Sequence, residues 1–163
     1  MTGRLKGKVA LVIGAGSVGP GWGNGKATAV AYGREGATVV CVDKNADAAA
    51  ETAALVEGEG ARSLALCGDV CREDDVRRIV SDTLEHYGAI DVLHNNVGLA
   101  LLGGPVDISL QDWSRSLDLN IGYMLLTVLS ATRQPRRPST SSPRRSRSST
   151  PARAFGRMPS CRA

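Results

Sequence analysis

The first 130 residues alternate short apolar runs with longer segments in which apolar side chains recur at helical spacing. The apolar runs predict four strands, at residues 9–13, 38–42, 63–66 and 90–93. A helical pattern follows each of them, beginning near residues 26, 45, 73 and 109, and the last pattern continues to about residue 132. This regular alternation predicts an α/β fold, in which a parallel sheet carries helices on both faces.

Polar residues and glycines mark the ends of these predicted helices. Asn45 can cap the second helix, and Ser109 with Asp112 has the pattern of a capping box before the fourth. Gly36 and Gly88 follow the first and third helices, where glycine commonly ends a helix. These boundaries support the alternation that the apolar pattern indicates.

A glycine-rich stretch joins the first predicted strand to the first helix. Its glycines remove the Cβ atoms that would keep the backbone away from a bound diphosphate. They are Gly14, Gly16, Gly19, Gly21, Gly23 and Gly25. The free N–H groups and the dipole of the helix that follows favour the same anion. The stretch therefore predicts a phosphate-binding loop for a dinucleotide.

This glycine loop has two halves. Residues 14–19 match the G-x-G-x-x-G spacing of dinucleotide-binding loops literally. We interpret its first half, which ends at Ser17, as the turn off the strand. Gly23, Asn24 and Gly25 are the better candidates to meet the pyrophosphate, because they stand at the start of the helix. On this interpretation the literal match is a coincidence within an inserted, glycine-rich loop.

An acidic residue ends the second predicted strand. Asp43 lies 18 positions after Gly25, close to where dinucleotide-binding domains place a carboxylate that accepts hydrogen bonds from the adenosine ribose. The same carboxylate would repel the 2′-phosphate of NADP, so Asp43 favours NAD as the cofactor. A plain solvated side chain at a strand end is the alternative.

Charge is distributed unevenly along the 163 residues. Residues 1–130 contain 11 Lys or Arg and 16 Asp or Glu, whereas residues 131–163 contain nine Arg and no acid. In that second segment 24 of 33 residues are Arg, Ser, Thr or Pro, a composition that buries too little apolar surface to fold. We therefore predict a folded domain over residues 1–132 and a disordered basic tail over residues 133–163.

Targeting and metal-binding patterns are absent from the sequence. It has neither a secretory leader pattern nor an apolar run of transmembrane length. Cys41, Cys67, Cys71 and Cys161 show no pairing or zinc spacing, and we expect the first three to be small, largely buried residues. These features predict a cytoplasmic protein without a membrane segment or a metal site.

Four short motifs, taken in order, resemble those of the short-chain dehydrogenase/reductase family. The glycine loop resembles the family's T-G-x-x-x-G-x-G loop, with residues 18–22 as a five-residue insertion and Ile13 where Thr is usual. The other three are Gly68-Asp69-Val70 after the third strand, Asn95-Asn96-Val97-Gly98 after the fourth, and Asn120 in the last helix. The resemblance covers about residues 5–130 and implies a Rossmann-like sheet, truncated after the fourth strand and the helix that follows it.

The resemblance implies a role for each motif. The Asp69 carboxylate would reach the adenine amino group, and the backbone at Val70 would follow the adenine ring. Asn95 would hold the central sheet together, and Gly98 would let the backbone pass the cofactor ribose. The backbone carbonyl of Asn120 would hold a water of the family's proton relay. Two plainer interpretations stay open, in which Asp69 caps the next helix and Asn120 is a tolerated polar residue.

The family's proton donor is absent from this sequence. Family members use Tyr-x-x-x-Lys and a Ser to exchange a proton with the substrate oxygen. Here Tyr32, Tyr87 and Tyr123 are followed four positions later by Gly36, Asp91 and Thr127, and Lys44 is the last lysine. We therefore expect an NAD-binding protein that is inactive in the family's nominal reaction, hydride transfer between NAD and an alcohol or carbonyl substrate.

Two other functions remain open. The basic tail could bind nucleic-acid phosphates, but Phe155 is its one aromatic residue for base stacking, so nucleic acid is a less favoured partner. Alternatively, the chain is a regulatory subunit that binds NAD and forms an oligomer through its last helix, which is apolar on more than one side. In the sheet order that the resemblance implies, the fourth strand would be an exposed apolar edge, and we therefore expect marginal solubility.

Overall fold

The structure of the protein, a computed structural model, describes residues 3–104 and 106–133. All four predicted strands are present, as β1 (Val9–Ile13), β2 (Thr38–Asp43), β3 (Ser63–Cys67) and β4 (Val92–Asn95). They pair in parallel in the order β3-β2-β1-β4, so β1 lies inside the sheet. The predicted parallel α/β sheet is therefore confirmed. Most of the predicted basic tail, residues 134–163, lies outside the described residues.

β4 begins two residues later than the apolar pattern predicts. The Asp91 carboxylate accepts a hydrogen bond from the Val9 backbone N–H at 2.9 Å, and the Asp91 N–H donates to the Val9 carbonyl at 2.8 Å. A side chain thus occupies the position in which a strand carbonyl would accept the Val9 N–H. The regular ladder with β1 consequently starts at Val92.

Within residues 3–104 and 106–133, five α-helices accompany the strands. They are α1 (Asn24–Arg34), α2 (Ala46–Gly58), α3 (Glu73–Tyr87), α4 (Leu110–Leu117) and α5 (Tyr123–Thr132). The pattern from residue 109 to residue 132 predicts one continuous helix, but a π-helical turn, Asp118–Gly122, separates α4 from α5. Such turns widen one helical turn by a residue and occur frequently at functional sites.

The predicted ends at Asn45, Ser109 and Gly88 form as the sequence indicates, whereas α1 begins at Asn24, two residues before its predicted start. The Asn45 side chain accepts hydrogen bonds from the N–H groups of Asp47 and Ala48 at the start of α2. Ser109 caps α4 by accepting from the Asp112 N–H at 3.0 Å, and it also donates to the Asp112 carboxylate at 2.6 Å. Gly88 ends α3 with φ of +74°, a left-handed conformation that glycine adopts without strain.

The two central strands, β1 and β2, are buried on both faces, which confirms helices on each side of the sheet. Alternate residues of β1 and β2 belong to two separate apolar clusters. One cluster combines Ala10, Val12, Val39 and Cys41 with α1 and α2 residues such as Ala29, Val30 and Val56. The other combines Leu11, Ile13, Val40 and Val42 with Val76, Ile79 and Val80 of α3 and with Tyr123 of α5. Both central strands therefore rest on packing from two directions.

The cysteines differ in environment. Cys41 is buried in β2, and burial raises the pKa of its thiol to about 11. Cys71 was expected to be largely buried, and this expectation is wrong, because Cys71 lies exposed in the turn between β3 and α3, outside both clusters.

Among the described helices none combines the length and the apolarity needed to cross a bilayer.

Gly25 provides a test of the packing between β1 and α1. A Cβ on Gly25 would overlap the carbonyl oxygen of Gly14 and would lie 2.8 Å from the Asn96 amide nitrogen. We expect Gly25→Ala to lower the free energy of unfolding by about 1–3 kcal/mol, the usual cost of overpacking, because a backbone atom cannot move aside as a flexible side chain can. Urea unfolding followed by circular dichroism measures this change.

Gly58→Ala is the matched control for this prediction. Gly58 ends α2, and a Cβ there would meet nothing within 4 Å. The control should be neutral or stabilising by up to about 1 kcal/mol, because alanine restricts the unfolded chain. Equal stability of both variants would contradict a close contact between the two backbone segments.

Candidate functional site

The predicted site residues converge on one edge of the sheet. Gly14 follows β1, Asp43 ends β2, Asp69 follows β3 and Asn95 ends β4. Since the strands are parallel, their carboxyl ends lie side by side, and this is the edge at which open α/β sheets bind ligands. The sequence-predicted positions from all four strands thus share one surface.

The turn after β1 is tightly held by its neighbours. The N–H groups of Gly14 and Ala15 both donate to the Val42 carbonyl, at 2.8 and 2.9 Å. Gly14 has φ of +74°, and a Cβ there would lie 3.0 Å from the Val97 side chain. The Gly14 carbonyl in turn accepts a hydrogen bond from the Asn96 side chain at 3.1 Å. The turn is therefore fixed between β2 and the segment after β4.

The Asp43 carboxylate is joined directly to the glycine loop. Its Oδ2 accepts the Gly16 N–H at 2.9 Å, and its Oδ1 accepts the Asn45 N–H at 3.0 Å. A Cβ on Gly16 would lie 2.7 Å from both Asp43 Oδ2 and the Ala48 Cβ, so this approach requires glycine. Each carboxylate oxygen retains a lone pair for a further donor. Asp43 is half-buried, and its carboxylate is held in one orientation by two backbone N–H groups.

Ser17 closes the inserted part of the loop. Its hydroxyl accepts the Gly23 N–H at 2.8 Å and donates to the Gly21 carbonyl at 3.2 Å. A Cβ on Gly19 would meet nothing within 4 Å, whereas one on Gly23 would lie 3.1 Å from the Ser17 hydroxyl. Of these two glycines, Gly23 is therefore packed against the loop and Gly19 is not.

The start of α1 is open to an anion. Gly23 occupies the N-cap position in extended conformation and makes no side-chain capping bond. Asn24 is exposed as the first residue of the helix, and the first turn contains no acidic residue. The first N–H groups of a helix carry a partial positive charge. Within the described residues, this terminus is therefore suited to a phosphate.

The turn after β3 presents Asp69 at the surface. Asp69 Oδ1 accepts the Cys71 N–H at 3.0 Å, while Val70 beside it is buried. Asp69 does not cap α3, since the N-cap residue of α3 is Arg72, which makes no side-chain capping bond. Instead the Asp75 carboxylate accepts the Asp69 N–H at 3.0 Å. The plainer interpretation of Asp69 as a helix cap is not what this geometry shows.

Charged side chains of α3 form hydrogen bonds that hold the same turn. Arg78 donates to the Cys67 carbonyl at 2.7 Å and to the Asp75 carboxylate at 3.2 Å. Burial works to raise the pKa of Asp75, but the Asp69 N–H and the Arg78 guanidinium outweigh it and hold that pKa below its usual value. Asp75 therefore stays ionised and keeps its hydrogen bond to the Asp69 backbone.

Side chains of the last helical segment form hydrogen bonds with the chain that leaves β4. Asn120, in the π-helical turn, accepts the Leu99 N–H at 2.8 Å and donates to the Leu99 carbonyl at 2.9 Å. Tyr123 donates to the Val97 carbonyl at 2.9 Å, and Thr127 donates to the Asn95 side chain at 3.1 Å. Three side chains of the last helical segment thus pair with alternate positions, 99, 97 and 95, of the chain that leaves β4.

Tyr123 and Asn120 are both constrained by their surroundings in this region. Burial raises the pKa of Tyr123, partly opposed by its hydrogen bond to Val97, so the hydroxyl remains a bound donor. A Cβ on Gly98 would lie 3.2 Å from the Asn120 side-chain oxygen. The Asn120 side chain therefore contacts the segment after β4, and the backbone of Asn120 lies in the π-helical turn.

Some contacts at this edge are not predictable from spacing. The family resemblance implies a sheet-holding role for Asn95, whereas the side chain that bonds to the β1 turn is that of Asn96, directly after β4. Asn95 accepts from Thr127 and so connects β4 to α5. The paired asparagines were the available signal, since two adjacent amides can bond in opposite directions.

Among the described residues, no group of three His, Cys, Asp or Glu could hold a metal ion.

Comparison with known sequences places the chain in a family. The family model described as short chain dehydrogenase matches residues 8–139. D-threitol dehydrogenase of Mycolicibacterium smegmatis is 38% identical over 123 residues, which are 76% of this chain and 45% of that protein. Glucose 1-dehydrogenase 2 of Bacillus subtilis is 34% identical over 120 residues, which are 72% of this chain and 44% of that protein.

Solved structures share the fold. A short chain dehydrogenase from Mycobacterium smegmatis has a TM-score of 0.74 at 34% identity, covering 80% of this chain and 52% of that one. A 7α-hydroxysteroid dehydrogenase in complex with NADH and 7-oxo glycochenodeoxycholic acid has a TM-score of 0.73 at 28% identity, covering 82% and 50%. The chain spans about half the length of the relatives it matches. These matches show that the chain belongs to the short-chain dehydrogenase family of oxidoreductases and has its Rossmann-like, NAD(P)-binding fold.

Proposed function

We propose that this chain binds NAD in preference to NADP at the carboxyl edge of its sheet. The observation that carries this proposal is the Asp43 carboxylate, which lies at the end of β2 and accepts the Gly16 N–H of the glycine loop. A dinucleotide placed with its diphosphate at the start of α1 has its adenosine ribose beside such a carboxylate. Asp43 then accepts hydrogen bonds from the ribose hydroxyls.

The preference for NAD follows from the way in which Asp43 is held. Its two bonds to the N–H groups of Gly16 and Asn45 keep the carboxylate from rotating away. A 2′-phosphate would therefore meet a fixed negative charge, and like charges in contact disfavour binding. Lys44 is exposed next to Asp43 and could attract a phosphate once the carboxylate is removed.

The remaining predicted residues would contact the two ends of the cofactor. Asp69, held by the Cys71 N–H, would accept from the adenine amino group, with the backbone at Val70 along the ring. Asn95 and Gly98 would border the ribose on the nicotinamide side, where the chain leaves β4. Ser17, Gly23, Asn24 and Gly25 would surround the diphosphate.

We also propose that the 163-residue chain binds the cofactor without turning over an alcohol or carbonyl substrate. The family reaction requires a proton donor, and none of the three tyrosines is followed by the lysine of Tyr-x-x-x-Lys. The hydroxyls of Tyr87 and Tyr123 donate to the carbonyls of Ser63 and Val97. Tyr32 packs edge-on against the His94 ring, with the ring centroids 6.0 Å apart. These contacts support the proposal that none of the three tyrosines serves as the family's proton donor.

Replacing Asp43 tests the cofactor proposal. Asp43→Ala should weaken NAD binding about tenfold or more, because a hydrogen bond to a charged group contributes about 1.5–3 kcal/mol. NADP binding should be unchanged or tighter, since Lys44 remains. Isothermal titration of both cofactors against the purified chain gives the four dissociation constants.

Glu85→Ala is the control, because it removes one negative charge from an exposed position on α3, away from the glycine loop. It should leave both affinities unchanged. Equal binding of NAD and NADP by the unaltered chain would contradict the preference. Formation of NADH from NAD and a polyol or secondary alcohol would contradict the absence of turnover.

We propose that the Asn120 side chain positions the segment that borders the nicotinamide end. Asn120→Ala removes both bonds to the Leu99 backbone and should lower the free energy of unfolding by about 1–2 kcal/mol, since each hydrogen bond contributes about 0.5–1.5 kcal/mol. The Leu99 amide should exchange its hydrogen faster, and NAD should bind more weakly. Amide exchange followed by NMR measures the first effect directly.

Ser116→Ala serves as the comparison for Asn120, because it removes a hydrogen bond between the Asn120 amide and the Ser116 hydroxyl within the helical segment and leaves Leu99 paired. Unchanged exchange at Leu99 in Asn120→Ala would show that the side chain has no positioning role.

We propose that the chain forms a homo-oligomer through α4 and α5, as the apolar pattern of the last helix indicates. Large apolar side chains are exposed along this segment, and we name them the α4–α5 face. They are Leu110, Trp113, Leu117, Ile121, Leu125, Val128 and Leu129. A contiguous exposed apolar surface of this kind marks an interaction site.

Glutamate substitutions that introduce charge on the α4–α5 face test this assembly. Ile121 and Leu125 are each 61% exposed, so glutamate is sterically accommodated at either position in a monomer. The double substitution Ile121→Glu and Leu125→Glu should convert an oligomer to monomer and increase solubility, because charges at an apolar interface lose hydration. Sedimentation velocity reports the change in mass. Leu55→Glu, at a partly exposed leucine on α2, should leave the oligomer intact, and a monomeric unaltered chain would refute the proposal.

A further inference from the structure

Lys26 is a buried cation in the first turn of α1. Only 4% of its side chain is exposed, and its ammonium donates to the Glu51 carboxylate of α2 at 2.9 Å. The same ammonium donates to the Gly21 carbonyl of the glycine loop at 3.3 Å. A buried charge is costly unless its donors are satisfied. The two partners, one on α2 and one in the loop, account for its burial.

The Gly21 contact connects Lys26 to the inserted residues 18–22. Gly21 has φ of +107°, and its carbonyl receives two donors, the Lys26 ammonium and the Ser17 hydroxyl. Val18 and Trp22 on either side of it are exposed, so the inserted residues gain little from apolar packing. A glycine-rich segment of this length has many accessible conformations. Its shape therefore depends on these polar contacts.

We propose that Lys26 is a positioning residue that, braced by Glu51, holds the inserted turn against α1 so that Gly23 to Gly25 stay open to the dinucleotide diphosphate. This inference rests on the proposed binding of NAD at the glycine loop. Lys26 acts through the Gly21 carbonyl, and Ser17 closes the same loop by accepting the Gly23 N–H. Without Lys26 the inserted residues can occupy the space in front of the helix start, which reduces the fraction of molecules able to bind.

A purely structural role for Lys26 would be to join α1 to α2. The chain contains a matched pair for that role, since Arg34 near the other end of α1 donates to Glu59 after α2 at 2.7 Å. Arg34→Met removes a connection between the same two helices without touching the glycine loop. It is therefore the control that distinguishes positioning of the inserted turn from a general connection between α1 and α2.

The experiment compares Lys26→Met with Arg34→Met in two measurements. Hydrogen exchange with mass spectrometry on the cofactor-free chain should show faster exchange over residues 17–23 in Lys26→Met alone. The amides of Gly14 and Ala15, which donate to Val42, should keep their protection in both variants. NAD titration should show about tenfold weaker binding in Lys26→Met, as expected if the competent fraction falls to about a tenth. Lys26→Arg, which retains a cation with several donors, should restore both values.

The two measurements separate the proposals. Faster exchange over residues 17–23 in a chain whose unaltered form binds no NAD would support the positioning of the turn and overturn the proposed function. Identical exchange and identical NAD affinity in Lys26→Met and Arg34→Met would overturn the role of Lys26. If Lys26→Met does not fold, Lys26→Gln, which keeps a polar but uncharged and shorter side chain, replaces it with the same expected outcomes.

Discussion

The close approach of two backbone segments, the end of β1 and the first turn of α1, is the constraint on which the other contacts depend. Gly25 lies against the Gly14 carbonyl with no space for a Cβ between them. This contact sets the direction in which α1 leaves the sheet. The same carbonyl accepts from Asn96, so β1, β4 and α1 meet at one backbone atom. The open helix start and the fixed Asp43 carboxylate both follow from that arrangement, because each is attached to the glycine loop.

Polar side chains, more than apolar ones, organise the carboxyl edge. Asp43 holds Gly16, Ser17 holds Gly23, and Asn120 pairs with both backbone groups of Leu99. The apolar clusters instead lie on the faces of the sheet and define how the helices pack. Each satisfied polar group leaves a neighbouring backbone segment in a single conformation. A surface built this way is preorganised for a polar ligand, whereas the α4–α5 face exposes large apolar side chains.

The fold was largely predictable because its elements carry local signals. α3 spans Glu73–Tyr87 as predicted, since its apolar spacing, its acidic first turn and Gly88 all agree. The π-helical turn was not predictable, because apolar periodicity does not distinguish one long helix from two joined by a wider turn. The late start of β4 depends on the Asp91 side chain. The long-range bonds of Lys26 and Asn96 join residues that are distant in sequence, and no spacing rule reveals them.

The position of β1 within the sheet has a consequence for the way in which the chain folds. β1 pairs with β2 after one helix, but its other neighbour is β4, and the register joins Ala10 to Val92, 82 positions apart. Contacts between such distant positions close large loops and form slowly. During synthesis, β1 is therefore complete long before the strand that protects its second edge. Until β4 arrives, that edge exposes unpaired backbone groups of an apolar strand, and molecular chaperones or rapid synthesis of the remaining segment would determine the yield of folded protein.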